Sequence, residues 1–496
     1  MDPQKTDLGA PRRELLPVDR LERVAGFGGV LEAPGYVYRP STLDDVVEVL
    51  RRAESTGRNV TLRGAGRSYG DAALRAEAVV LDLSRMNRIL SWDPESGTIE
   101  VEPGATIRDI WRFALGDGWW PPVVPGTMHP TLGGCLAMNV HGKNCYKAGT
   151  VGDHCLELDL LLPAGEIRTL RPGGGRPGKD GELFRAVIGS FGQLGVVTRI
   201  RWQLKRIHSG LVEVKPLPVK NLEELLRGID EGKDDFEYAV GWMDAFARGR
   251  GLGRGQIHLA RYLAPGEDPD PAQSLRLENQ HLPENLFGVL PRSVMWRLAK
   301  PLTNRVGMRW VNRGKYLSAR RQKDLPYQQS LAEFQFLLDY IPSWERAYPA
   351  SGGLIQHQSF VPKEAAEEVF RKQIEICHRF RMPSFLAVLK RHRADDFLLS
   401  HAVDGFSLAL DFPVSAGNRE RLWSMVRELA RPVVEAGGRF YPAKDAALTP
   451  ELFQATFRDG QLERFAEIKG EADPSGLLTS SLAERLLERE VPQDEG

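Results

Sequence analysis

Two glycine-rich stretches constrain the fold of this chain more than any other feature: GAGRSYGD at 64–71 and PGTMHPTLGG at 125–134. Glycine lets the backbone approach a ligand closely, and successive backbone N–H groups in such a loop make a concave site for an anion. Taken alone, the first stretch also fits a plain tight turn. Its spacing is G-x-G-x-x-x-G, and no long helical pattern follows it, which argues against a Rossmann nicotinamide site. Two such stretches about 60 residues apart can clamp one extended dinucleotide from opposite sides. A third glycine pattern, Gly173 with Gly178 and Lys179, imitates a phosphate-binding P-loop. There Asp180 stands where a hydroxyl is required and Pro177 lacks a backbone donor, so it reads as a surface turn.

Local patterning predicts a mixed fold. Residues 41–53 (STLDDVVEVLRRA) read as an amphipathic helix capped by Ser41 or Thr42, with Asp44 and Asp45 in its first turn. A second helix is predicted over 106–115, with Thr106 and Asp109 as capping partners and Ile107, Ile110, Trp111, Ala114 and Leu115 on one face. Short strands are expected at 59–63, 78–82, 87–92 and 98–102. From 206 to 430 strand-like runs (GLVEVKPL, FEYAVGWM, FSLALDFPV) alternate with helices such as 363–380, the pattern of a separate antiparallel α+β domain.

The 496 residues include 42% hydrophobic and 27% charged side chains, enough apolar material for real cores and several domains. Sixty-six basic residues balance 66 acidic ones, which speaks against a globally nucleic-acid-binding protein. Four cysteines without a C-x-x-C pair make no disulfide scaffold; reduced thiols in a cytoplasmic protein are expected, with no signal peptide and no membrane-spanning run. Cys135, Cys145 and Cys155 lie near His141 and His154 in sequence, but their spacing of ten does not resemble structural zinc, so no metal is expected. Cys377, beside Phe370 and Ile374 on one helix face, reads as core.

Seven ordered motifs span most of the chain: RGAGRSYGD (63–71), VPGT with LGG (124–134), HGKN (141–144), AGTVGDH (148–154), ELDLLLPAGEI (157–167), GGRFYPAKD (437–445) and ADPSGLLTS (472–480). Together they resemble FAD-binding oxidoreductases of the vanillyl-alcohol-oxidase type, and within them the branch of flavoprotein (oxidase) subunits of decaprenylphosphoryl-ribose 2'-epimerase. The resemblance implies a two-domain α+β fold: an FAD-binding domain over 20–205, an antiparallel-sheet substrate domain over 206–430, and a return to the FAD domain over 431–490.

It also implies site residues. FAD would contact Gly64, Ala65, Gly66, Arg67 and Ser68, then Gly126, Thr127, Gly133 and Gly134, with Gly195, Val196 and Val197 on the adenine side, and Tyr441. In many members of the wider superfamily a histidine before the first-loop serine bonds covalently to the flavin. Arg67 stands there, and His129 falls near a second attachment point that is cysteine in some members, so noncovalent FAD is expected. Lys444 would orient the substrate hydroxyl and receive its proton while the flavin takes the hydride, with Tyr69, His141 and Lys143 lining the same pocket. Read without the resemblance, Lys444 is a surface lysine after a strand and His141 a satisfied structural histidine.

Gln356 and Gln358 are two apart and face one side of a strand, and Lys390 ends another. Amides recognise sugar hydroxyls and a lysine recognises phosphate; exposed polar positions on a half-buried strand are the alternative. The branch carries a cysteine and an asparagine on the strand that here reads SLALDFP, where Ala409 and Ser407 take those places.

Charge is unevenly spread. Residues 285–323 contain ten Lys or Arg and no Asp or Glu, interleaved with Phe287, Met295, Trp296, Met308 and Trp310. Setting those ten aside leaves 56 basic residues against 66 acidic ones elsewhere. This segment reads as contact with an anionic membrane surface or lipid phosphate, or else as a solvated loop; nucleic acid is not expected.

The resulting expectation is FAD-dependent oxidation of a secondary sugar hydroxyl, the 2'-hydroxyl of a polyprenylphosphoryl ribose, by a protein peripheral to the inner face of the plasma membrane. A short-chain dehydrogenase partner would complete the epimerisation. The alternatives are a sugar-alcohol or aldonolactone oxidase using oxygen, and a noncatalytic membrane-associated flavin-binding protein.

Overall fold

The computed structural model describes residues 15–173, 179–283, 285–286, 290–321, 325–348, 352–458 and 460–487. The P-loop-like pattern therefore lies partly outside the described residues, as do Phe287 and Lys323 of the basic segment. Lys179 opens the helix Lys179–Val187.

Capping places the early helices where the sequence predicts them. Thr42 and Asp45 form a reciprocal capping box ahead of Leu43–Thr56, and Thr106 and Asp109 do the same for Ile107–Ala114. The first helix ends at Gly57, whose φ of 65° suits a left-handed C-terminal residue. Val46, Val49, Leu50 and Ala53 bury its inner face against Val60, Val79 and Leu81.

Two sheets build the N-terminal part. Strands Leu21–Ala25, Glu32–Tyr38, Val79–Asp82 and Val60–Arg63 lie in that order, the last three parallel. A five-stranded antiparallel sheet runs Ile89–Asp93, Thr98–Val101, Val196–Gln203, Cys155–Leu161 and Ile167–Leu170. The ADPSGLLTS motif returns to the first sheet as an added edge: Val60 N–H donates to Leu477 O at 2.7 Å and Thr479 N–H to Val60 O at 3.0 Å. Asp473 accepts from the Leu477 and Leu478 N–H groups and so shapes that return.

The second body is an eight-stranded antiparallel sheet ordered Tyr327–Ser330, Leu211–Val219, Gly255–Tyr262, Tyr238–Met243, Ala387–His392, Gly405–Pro413, Leu354–Pro362 and Arg439–Phe440. Helices Leu222–Gly232, Ala366–Arg379 and Arg419–Glu435 pack on one face through Leu225, Ile229, Phe370, Ile374, Leu422 and Leu429. Cys377 is buried in that core. The expected boundary at 430 falls inside helix Arg419–Glu435, which is held by this apolar face; the chain leaves the sheet only after Phe440.

Arg485, on the C-terminal helix Ser481–Leu487, ties the parts together. Its guanidinium donates to both Asp71 oxygens at 2.8 and 3.0 Å, to Asp445 Oδ2 at 2.7 Å and to Leu448 O at 2.8 Å. Asp71 and Asp445 are both buried. Removing the cation strands two buried carboxylates, so Arg485→Met is expected to lower unfolding free energy by about 3 kcal/mol or more. Adding Asp71→Asn and Asp445→Asn should restore part of the loss in urea denaturation; no recovery would show that packing, not charge, sets the effect.

Candidate active site

The uncovered face of the large sheet and the two glycine loops enclose a cavity of about 1220 Å³. That exceeds the roughly 300–1,000 Å³ of common small-molecule pockets. The first loop, 64–68, leaves the strand Val60–Arg63, and the second leads into helix Leu132–Ala137. Their contact admits no side chain at Gly64: a Cβ there would lie 2.2 Å from Thr131 Oγ1. Gly66 has φ +64°, which favours glycine, and a Cβ at Gly133 would lie 2.7 Å from Pro103 Cβ.

All the predicted cofactor residues line this cavity except Val196. Gly195 and Val197 face it, and strand alternation turns Val196 into the opposite apolar cluster with Leu161 and Leu478. In the cavity wall Arg63 Nη1 and Arg67 Nε are buried without a hydrogen-bond partner. Two orphaned guanidinium donors beside a glycine cradle fit the pyrophosphate of a dinucleotide such as FAD. The second loop is held by the 3-10 helix Leu337–Tyr340: Thr127 Oγ1 donates to Asp339 Oδ1 at 2.6 Å and Met128 N–H to Asp339 Oδ2 at 2.8 Å. No feature of the sequence around Asp339 announces this role.

Register in the sheet sets the polar end. Gln356 pairs with Asp411, Gln358 with Ala409, and Lys390 with Ser407, so these side chains form a continuous patch facing the cavity. Gln356 donates to Asp411, while Gln358 Nε2 lies 3.0 Å from His141 Nε2 and donates to Ser407 Oγ at 3.5 Å. Asp411 was not among the predicted site residues. The signal was available, because Ser407, Ala409 and Asp411 recur with period two on one strand face.

Lys444 and Tyr69 meet across the loops. Tyr69 N–H donates to Ala443 O at 2.8 Å, and the Lys444 ammonium lies 3.7 Å from the Tyr69 ring centroid. Burial lowers the Lys444 pKa to about 7, with Asp411 opposing the shift and Lys390 reinforcing it. Burial raises the Asp411 pKa, against the Gln356 hydrogen bond and Lys444. Burial also raises the Tyr69 pKa well above its usual value.

His141 lies within this group, its Nδ1 3.5 Å from Lys390 Nζ. Burial, then Lys390, His392, His401 and Lys444, hold its pKa well below the usual value, so the ring is neutral. Lys143 also lines the cavity, but its ammonium donates to the backbone carbonyls of Phe334 (2.5 Å) and Gln335 (2.7 Å). Two of its three donors are thus committed to the C-terminal carbonyls of helix Leu331–Gln335. Tyr441 meets His141 edge-on and His401 at a tilt, with centroids at 5.0 and 4.5 Å.

The fold brings Cys145 to His141 and His392, with one donor atom of each within 4.8 Å of the others. Sequence spacing does not show this triad, because His392 comes from the large sheet. These side chains have other partners: Cys145 Sγ accepts from Gly142 N–H, His392 Nε2 lies 2.8 Å from Ser407 Oγ, and the Lys390 ammonium stands beside His141. Trp242, His258 and Lys315 also line the cavity and were not anticipated.

Comparison with known proteins gives a consistent result. Residues 34–171 match the FAD binding domain family. The chain is 33% identical over 470 residues to the decaprenylphosphoryl-beta-D-ribose oxidase of Mycolicibacterium smegmatis, covering 94% of this chain and 97% of that protein. An uncharacterised protein of Streptomyces coelicolor is 28% identical over 386 residues, 77% of this chain and 99% of its own. A D-lactate dehydrogenase of Anaerostipes hadrus is 26% identical over 199 residues, 40% of this chain and 42% of its own.

Lys390 offers a direct test of the electrostatics. Burial lowers its folded-state pKa from 10.5 to about 8, so between those values the unfolded chain holds more protons and stability rises with pH. Lys390→Met is expected to remove that part of the slope in urea unfolding of the apoprotein measured from pH 8 upward. An unchanged slope would mean that the folded ammonium is fully hydrated.

Proposed function

Because the chain belongs to the decaprenylphosphoryl-beta-D-ribose oxidase family of vanillyl-alcohol-oxidase-type, FAD-dependent oxidoreductases, we propose that it oxidises the 2'-hydroxyl of a polyprenylphosphoryl ribose to a ketone. The observation that carries this reading is the patch of Lys444, Gln356, Gln358, Asp411 and Lys390 at one end of the dinucleotide-sized cavity. Bound FAD supplies the two-electron acceptor for the carbinol hydride.

The chain's own residues handle the proton and the orientation. Lys444, as a neutral amine above about pH 7, accepts the hydroxyl proton, and Tyr69 beneath it fixes its position. Gln356 and Gln358 offer amides to the sugar hydroxyls, and Lys390 offers a cation to the phosphate. FAD is held without a covalent bond: Arg67 takes the first-loop position, and Cys135, Cys145, Cys155 and Cys377 are all absent from the cavity lining. Release of the flavin on acid precipitation tests this; flavin fluorescence retained on the denatured chain would refute it. A 2'-keto product calls for a hydride-donating reductase of the short-chain dehydrogenase class to complete an epimerisation.

Ser407 and Ala409 face the reacting end in place of the larger asparagine and cysteine of the branch. They keep the sheet register while changing the pocket wall, so a related glycosyl phosphate is the natural competitor substrate.

The decisive experiment is anaerobic flavin reduction by polyprenylphosphoryl ribose, against other glycosyl phosphates and free polyols. Lys444→Met should slow reduction by about 10²–10⁴-fold with FAD still bound. The wild-type rate should rise with pH through about 7 as the amine becomes neutral, and the variant should lose that limb. Equal rates in both proteins would sink the role of Lys444. Preference for a free polyol with rapid peroxide formation would favour a soluble oxidase.

A further inference from the structure

We propose that the outer surface formed by residues 295–321 is a docking face for an anionic phospholipid bilayer, set beside the cavity so that a lipid-linked substrate is taken directly from the membrane. The proposal deepens the reading of the substrate as a polyprenyl phosphate, and it rests on that reading only for its second clause.

Helix Arg305–Arg321 is amphipathic in an inverted sense. Its inner face, Asn312, Tyr316 and Ala319, is buried, with Tyr316 lying under the Arg254 guanidinium at 4.7 Å. Its outer face carries Val306, Trp310 and Leu317, exposed by 68, 67 and 44%. Leu298 and Leu302, on the preceding short helices Met295–Ala299 and Lys300–Leu302, extend the apolar surface. Six of the sixteen exposed large apolar side chains among the described residues fall between Leu298 and Leu317. A soluble surface scatters such residues singly, whereas clustering marks an interaction site.

Charge selects the occupant. Nine Lys or Arg and no Asp or Glu lie between residues 290 and 321. Among the described residues, none of the nine is in an ion pair with a carboxylate. Arg309 and Arg313 follow Arg305 at helical spacing along the apolar ridge, and Arg297 packs on Trp296 at 5.3 Å. An apolar ridge flanked by unpaired arginines and bearing an exposed tryptophan matches a bilayer interface, where the ridge enters the acyl boundary and the guanidinium groups reach lipid phosphates. A nucleic acid would use the cations and leave the leucines in water. An acidic protein lacks a reason for so diffuse an array of cations.

The same helix reaches the cavity: Lys315 lines it, together with Arg292, which precedes the docking face, and with Leu337, Ile341 and Trp344. Helix Met295–Ala299 packs on the turn Trp344–Ala347, where Arg346 also covers Trp296 at 5.8 Å. A phosphate head entering between these residues would leave its polyprenyl tail on the apolar side, where the bilayer lies.

The test uses the FAD-loaded full chain and co-sedimentation with vesicles of phosphatidylcholine alone or with about 30% phosphatidylglycerol, at low and high salt. Binding is expected only to the anionic vesicles and is expected to weaken at high salt. Trp310→Ser with Val306→Ser and Leu317→Ser, or separately Arg309→Glu with Arg313→Glu, should weaken it by about tenfold or more. None of these five residues lines the cavity, so flavin reduction by a short, water-soluble glycosyl phosphate should be unchanged; only the long-chain substrate presented in vesicles should react more slowly. Wild-type indifference to phosphatidylglycerol, binding that survives both variants, or tighter binding to a DNA duplex than to vesicles would overturn the proposal. Vesicle binding is read without turnover, so loss of the membrane face leaves the assignment of the reaction standing. Failure of polyprenylphosphoryl ribose to reduce the flavin would leave the docking face intact and remove only its link to substrate delivery.

Discussion

One guanidinium holds the architecture of the site. Arg485 binds Asp71, which closes the first glycine loop, and Asp445, which closes the YPAKD turn. Between these anchors Tyr69 and Lys444 face each other, and Gly70 lies so close to the Asp445 carbonyl that a Cβ would stand 1.9 Å from it. Three segments far apart in sequence are thereby fixed at one point. The carboxylates gain from burial only because the cation accompanies them, since an unpaired buried charge is strongly destabilising. The first glycine loop and Lys444, which line the same cavity, are positioned by one ion cluster.

Beyond that clamp the cavity is unusual in its excess of buried cations. Lys143, Lys390 and Lys444 are each pushed toward the neutral amine chiefly by burial, and Asp411 is the nearby carboxylate that opposes the shift at Lys444. The histidines His141, His392 and His401 are driven neutral by the same desolvation. Burial thus leaves Lys444 able to exchange a proton near neutrality. Lys143 shows that not every cation here serves the ligand, since its bonds to the Phe334 and Gln335 carbonyls spend most of its donors on the backbone.

Much of this was legible in the chain. Local rules read helices over 41–53 and 106–115, and the structure has them at 43–56 and 107–114, because Thr42 with Asp45 and Thr106 with Asp109 satisfy orphan N–H groups within four residues of one another. The glycine loops announced a cofactor cradle, the motif GGRFYPAKD singled out Lys444, and strand spacing singled out Gln356, Gln358 and Lys390, all of which line the one cavity. Val196 was misplaced because a motif names neighbours without saying which way each side chain turns; strand alternation sends it to the core. Asp411 was readable from the period of its strand and was overlooked. Asp339 and Trp242 were not readable, since only the pairing of distant strands and turns carries them to the cavity.

Ordered motifs and local periodicity are properties of neighbouring residues, so the family, the FAD-dependent redox class and the residue types available for the chemistry can be read along the chain. Which of those residues share a cavity, which lysines lose their hydration, and the outward turn of leucine and tryptophan on one basic helix follow from the packed fold. Each of those depends on desolvation and register across elements hundreds of residues apart, and the pKa of a lysine or the exposure of a tryptophan is set by what the fold places against it.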